Sequence, residues 1–144
     1  MIIVDASVAV KWYVPEPGEE AAKNLLADPR HELLAPALIR IEVIAAILKA
    51  YREARVPEMR AKAAIAEWQQ TLDDGIVHLV PDEEVLGVAV DISFQSQHPL
   101  QDCLYLAVAR TMKAELITAD DKMFKRGGKA IAGVKFLEGM RYEG

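Results

Sequence analysis

Four carboxylates carry the chemistry legible in this chain. Asp5 follows the opening apolar run IIV, Glu42 lies in the stretch ALIRIEVIAAIL, Asp102 follows His98-Pro99, and Asp120 closes the run ELITAD. Each belongs to a different segment, at a chain turn or in apolar surroundings. Two like charges ~4 Å apart repel by about 4 kcal/mol at an effective dielectric near 20, so such a group cannot stay ionised without compensation. A hard dication supplies it: Mg2+ or Mn2+ suits an all-oxygen site completed by water. Zinc fits less well, because His31, His78 and His98 share no close ligand spacing and Cys103 is the only thiol.

Each acid also has an ordinary reading. Asp5 can cap a helix starting near Ala6, although Ser7 could cap equally well. Asp102 falls in the first turn of its expected helix, where the macrodipole favours an anion. Asp120 and Asp121 are adjacent, as turn residues often are; one can bind metal while the other starts the next helix, and Asp120 is preferred because it directly follows a strand. Glu42 is the most telling. Between Pro36 and Leu48 the only other charge is Arg40, which lies on a different helix face. A helix apolar on nearly all sides is buried, and an isolated buried carboxylate is costly. Glu42 therefore needs a partner from elsewhere, a basic side chain or a metal.

The elements that must position these groups follow from the apolar pattern. Ile2–Val4, Leu33–Ala35, Ile76–Val80, Leu116–Thr118 and Val134–Leu137 read as short buried strands. Helices are expected over Ala6–Tyr13, Glu19–Ala27, Pro36 to about Arg55, from after the interruption at Pro57 to about Leu72, Asp82 (as cap) to about Gln95, and His98 to about Lys113. Pro36 suits a first helical position. The segment from about 37 to 72 reads as a helical hairpin. Strands alternating with helices argue for a parallel sheet covered on both faces, whose ligands bind beyond the strand carboxyl ends where the winding reverses. Asp5 and Asp120 stand just past such ends, and the reversal point is theirs if strands one and four are neighbours.

The chain of 144 residues fits one domain over 1–144. No run approaches the ~20 apolar residues that cross a bilayer, and no basic segment precedes a long apolar run as in a signal peptide. One cysteine allows no internal disulfide, which agrees with a reducing cytoplasm. The net charge of −5 argues against a broad basic surface for nucleic acid. It does not argue against phosphodiester chemistry, in which a metal supplies positive charge locally.

The stretches IIVDASV, APALIRIEVIAAIL, HPLQDCLYLAVA and LITADDKMF, in this order, resemble the PIN-domain family, and within it the VapC-type toxins of toxin–antitoxin pairs. The resemblance implies a three-layer α/β/α sandwich with a five-stranded parallel sheet ordered 3-2-1-4-5. It further implies a Mg2+- or Mn2+-dependent endoribonuclease leaving a 5′-phosphate and a 3′-hydroxyl. By motif match Asp5, Glu42, Asp102 and Asp120 are the catalytic metal-site acids, with Asp5 and Asp102 the main direct ligands. Ser7 and Thr118 match the small hydroxyl positions that support them and border the substrate. A homodimer and a small antitoxin bound at the hairpin are implied too; core packing explains the Tyr51, Met59, Ile65 and Trp68 that the hairpin carries equally well, and is preferred for most of them.

Lys122, Lys125, Arg126 and Lys129 form a basic stretch after Asp120 that could grip phosphates; a solvated loop is the ordinary alternative. Lys11 and Arg40 are further candidates near the mouth. Trp12 and Tyr13 could stack on bases or simply pack. A phosphoacceptor receiver shares the general layout, but Asp5 has no neighbouring acid and strand three ends in Val80-Pro81 rather than an Asp. A non-catalytic module that keeps the fold, and RNA processing without an antitoxin, are the remaining rivals.

Overall fold

Five short apolar runs make one sheet: β1 (Ile2–Val4), β2 (Leu33–Pro36), β3 (Val77–Val80), β4 (Glu115–Thr118) and β5 (Val134–Phe136). The computed structural model describes residues 1–137. Its strands run in the order β3-β2-β1-β4-β5 and every pairing is parallel. β1 is central, and Ile3 and Val4 are fully buried, as expected for strands covered on both faces.

The helices are α1 (Ala6–Ala9), continued by a 3-10 turn at Val10–Trp12, then α2 (Glu19–Ala27), α3 (Ile39–Arg52), α4 (Glu58–Asp73), α5 (Asp82–Ser96), α6 (Leu100–Met112) and α7 (Asp121–Ala130). Parallel crossovers are right-handed. Winding outward from β1 to β3 therefore puts α1–α4 on one face, and winding back through β4 to β5 puts α5–α7 on the other. The packing agrees: α3 lies against α1 and α4, and α5 lies against α6 and α7. The result is a three-layer α/β/α sandwich.

Two local expectations are corrected. Pro36 closes β2 rather than opening a helix, and α3 begins only at Ile39. Asp82 does not cap its own helix; Pro81 precedes α5 without a side-chain cap. The Asp82 carboxylate instead accepts the Leu38 N–H at 3.1 Å, satisfying a free donor at the start of α3. The basic stretch after Asp120 forms α7, which starts at Asp121 as the paired acids suggested.

The position of α7 depends on Gly127. A β-carbon there would lie 2.9 Å from Leu106 Cδ2 and 3.6 Å from Val134 Cγ2, so glycine lets α7 approach α6 and β5. Gly127→Ala should lower stability by about 1 kcal/mol, the overpacking loss exceeding the gain in helix propensity. Chemical denaturation checks this, and a stabilised variant would show that the approach is not tight.

Trp12, Tyr13 and Trp68 settle a further expectation. Each pair of rings lies 6.3 Å apart, and all three residues are buried. Trp12 Nε1 donates to the Ala22 carbonyl at 2.8 Å and Trp68 Nε1 to the Arg40 carbonyl at 3.2 Å. The Tyr13 and Thr71 hydroxyls are hydrogen-bonded to each other. These aromatics pin the α3–α4 hairpin to the 3-10 turn and offer no face for base stacking. Among the described residues, no helix is long and apolar enough to cross a membrane.

Candidate active site

The chain reverses its winding between β1 and β4, where Val4 pairs with Ile117, and a crevice opens beyond their carboxyl ends. Asp5 leaves β1 directly into this crevice. Its carboxylate caps α1, accepting the Val8 N–H at 3.3 Å. The same carboxylate receives the Ser7 hydroxyl on Oδ1 and the Thr118 hydroxyl on Oδ2, each at 2.5 Å. Capping and a place in the crevice are thus one arrangement for Asp5. Ser7 is not the cap: its hydroxyl oxygen accepts the Ala119 N–H at 2.9 Å, tying the exit of β4 to α1.

Asp5 is only 4 % exposed. Burial pushes its carboxyl up to about 6, and the Asp120 charge adds to this, against the lowering pull of the Ser7, Thr118 and Val8 hydrogen bonds. Asp120 ends the β4 exit and caps α7, its Oδ1 accepting the Met123 N–H at 2.8 Å. Asp121 is the first residue of that helix and does not line the crevice.

The opposite wall comes from α3 and α6. Glu42 Oε1 accepts the Tyr105 hydroxyl at 2.5 Å, a bond that joins the two helical layers. Tyr105 is buried and lies three residues after Asp102, so α6 offers both to one side. Burial, then the Glu42 charge, hold the Tyr105 hydroxyl far above its ordinary range, so it remains a donor. Burial is also the main cause raising Glu42, opposed by the Tyr105 bond and reinforced by Asp102 and Asp82. Asp102 is raised by burial and by Asp120, and lowered by His98 and Arg126. His98 Nε2 sits 3.2 Å from Asp102 Oδ2. The ring is buried, and neither of its nitrogens is aligned for a hydrogen bond with a described group.

The crevice is a cleft of about 480 Å³ whose walls include Asp5, Glu42, Asp102 and Asp120, with Ser7, Tyr105 and Lys49. The four acids are thus brought to one cleft. Among the described residues, the ion pairs of Lys and Arg leave all four out. Also among the described residues, no three acid, His or Cys side chains converge in metal-ligating geometry. The donor chemistry nevertheless fits a hard dication. Mg2+ takes one or two direct carboxylates and keeps several waters, so a loose ring of carboxylates reached partly through water suits it, whereas zinc would want a tight N/S set.

The basic candidates lie elsewhere. Lys122, Lys125 and Arg126 project from α7, exposed, and none lines the cleft; only the Arg126 charge reaches it, lowering Asp102. Lys11 is buried and paired with Glu16 at 3.0 Å, and Arg40 is exposed away from the cleft. Ser7 and Thr118 spend their hydroxyls on Asp5. Three residues escaped the sequence reading: Tyr105, His98 as the neighbour of Asp102, and Lys49. Helical spacing held the signal for each, since Tyr105 is three after Asp102, Asp102 four after His98, and Lys49 seven after Glu42.

Comparison with known proteins bears on the fold and the family. A family model described as PIN domain matches residues 2–130. Among solved structures, PAE2754 from Pyrobaculum aerophilum is 20% identical with a TM-score of 0.59, over 95% of this chain and 89% of that one. A chain of a toxin-antitoxin complex from Klebsiella pneumoniae is 17% identical with a TM-score of 0.58, over 94% of this chain and 96% of that one. Among curated proteins no sequence matches this chain. At such identities the structural likeness speaks to fold, and the match over residues 2–130 speaks to family: the chain belongs to the PIN domain family, whose members are generally nucleases.

Proposed function

We propose that this chain is a Mg2+- or Mn2+-dependent endoribonuclease, acting in the cytoplasm as the toxin of a VapBC-type toxin–antitoxin pair. One observation carries the reading: four carboxylates from four separate segments line a single cleft at the reversal point of the sheet, unpaired with Lys or Arg among the described residues.

A bound dication supplies Lewis acidity for a phosphoryl oxygen and lowers the pKa of a water. The chain's residues do the rest. Asp5 and Asp102 would hold the cation. Ser7 and Thr118 fix the Asp5 carboxylate between them, so it reaches the cleft in one orientation. Glu42 and Asp120 would help to hold it, or accept a proton from water. Tyr105 occupies Glu42 Oε1 and leaves Oε2 for that work.

The test is a purified chain incubated with single-stranded or structured RNA. Cleavage with Mg2+ or Mn2+ is expected, lost with a chelator and restored by either ion but not by Zn2+. Chelator-resistant cleavage would refute the metal chemistry. Tyr105→Phe should reduce cleavage about 10–100-fold, the usual loss when a residue orienting a ligand is removed. An unchanged rate in single-turnover assays would show that Glu42 needs no such partner.

The toxin reading draws on the Klebsiella pneumoniae toxin-antitoxin complex and on the hairpin surface. Ile41 is 66% exposed and Met59 84%, with Leu48 and Tyr51 also exposed. Exposed apolar side chains along α3, with Met59 on α4, mark an interaction surface, which suits a second copy of this chain and an antitoxin tail. Expression should arrest growth, and co-expression of the antitoxin should relieve it; harmless expression of an active nuclease would favour RNA processing instead.

A further inference from the structure

Among the described residues, Lys49 is the one basic side chain on the walls of the acidic cleft. It lies on α3 seven residues after Glu42, with Ala46 between them, and the 42–46–49 spacing keeps all three on one helix face. Glu42 is half-buried, whereas Lys49 is exposed. At about 1.5 Å of rise per residue, the Lys49 backbone lies about 10 Å along the axis from that of Glu42. Among the described residues Lys49 makes no ion pair and no side-chain hydrogen bond, although four carboxylates share its cleft.

A cleft lined by four carboxylates repels a polyanion, and one dication leaves an excess of negative charge. The approach of a phosphodiester therefore needs positive charge that does not compete with the cation for the acids. An unpaired ammonium on the wall, set apart from Glu42 along the helix, meets that need. We infer that Lys49 binds the RNA backbone, gripping a phosphate that neighbours the scissile one. The inference rests on the ribonuclease reading. Lysine acts on phosphate as a point charge, and backbone contacts position a strand without reading its sequence. Lys49 thus sets affinity and register rather than base preference, the role that sequence alone assigned to Lys122, Lys125 and Arg126.

The experiment uses the full chain carrying Asp102→Asn, which holds RNA uncut, and follows the anisotropy of a labelled single-stranded RNA across a salt series with Mg2+ present. Adding Lys49→Gln should make the slope of log affinity against log salt shallower by about 0.7, the value for one phosphate contact on a single strand. Lys49→Arg should keep the slope. In the cleaving chain, Lys49→Gln should raise KM several-fold and leave kcat unchanged. Equal slopes for the Lys49 and Lys49→Gln chains would overturn the inference. So would tighter Mn2+ binding by the Lys49→Gln chain with unaltered RNA affinity, which would make Lys49 a counter-charge to the acids. If the wild-type chain neither binds nor cuts RNA, the ribonuclease reading falls, and this inference with it.

Discussion

Asp102→Asn is expected to slow RNA cleavage by more than about a hundredfold at saturating Mg2+, above the ~10–100-fold that loss of an orienting residue costs. The substitution keeps the shape of the side chain and removes its charge. Asp102 is half-buried on α6, and nearby His98 is itself buried. The amide can still face His98, so the fold should survive. What is lost is an anionic oxygen on the wall facing Asp5, and no other residue of α6 supplies one to the cleft. Single-turnover cleavage, with circular dichroism to confirm folding, measures this. A folded Asp102→Asn chain that cuts at the wild-type rate would remove Asp102 from the chemistry.

The second large effect is on stability, and its sign is opposite to that of most buried substitutions. Burial lifts the Asp5 carboxyl from its ordinary 3.8 to about 6. Between these values the folded chain holds a proton that the unfolded chain has released, so stability falls as pH rises. The favourable contribution is complete below 3.8 and gone above about 6. Asparagine does not titrate. Without divalent ions, Asp5→Asn should therefore gain on the wild type from about pH 4 to about pH 7, by about 3 kcal/mol. Urea denaturation at each pH checks it. A constant difference, or one that shrinks with rising pH, would mean that the buried carboxylate is already compensated by the protein.

The sequence carried the fold further than the site. Alternating short strands and helices, with Asp5 and Asp120 at strand ends, implied a parallel sheet and its reversal point, and the resemblance supplied the strand order that is observed. The limits of α2, from Glu19 to Ala27, are those read from helical spacing alone. Pro36 was misleading because its fixed φ suits the end of a strand as well as the start of a helix. Asp82 was misleading because its carboxylate reaches the start of α3, forty-four residues away in sequence, rather than its own helix. Long-range partners of this kind leave no local trace.

The same holds for the cleft. The isolation of Glu42 in an apolar helix was legible and demanded a partner, but sequence could offer only a basic residue or a metal. The partner in the structure is a tyrosine hydroxyl from the other helical layer. The basic stretch of α7 was legible as charge, but its direction was not, because helix phase and packing decide which side of α7 faces the cleft. Lys49 was overlooked since one lysine among apolar residues looks like a solvated end of a helix.

The most direct measurement of the central claim is thermal unfolding of the full chain titrated with Mn2+ near neutral pH. If a hard dication relieves repulsion among Asp5, Glu42, Asp102 and Asp120, the wild-type midpoint should climb with Mn2+ concentration, as for any ligand of the folded state, while Asp5→Asn and Asp102→Asn lose most of that climb. A wild-type midpoint indifferent to Mn2+, or an equal climb in both variants, would contradict it.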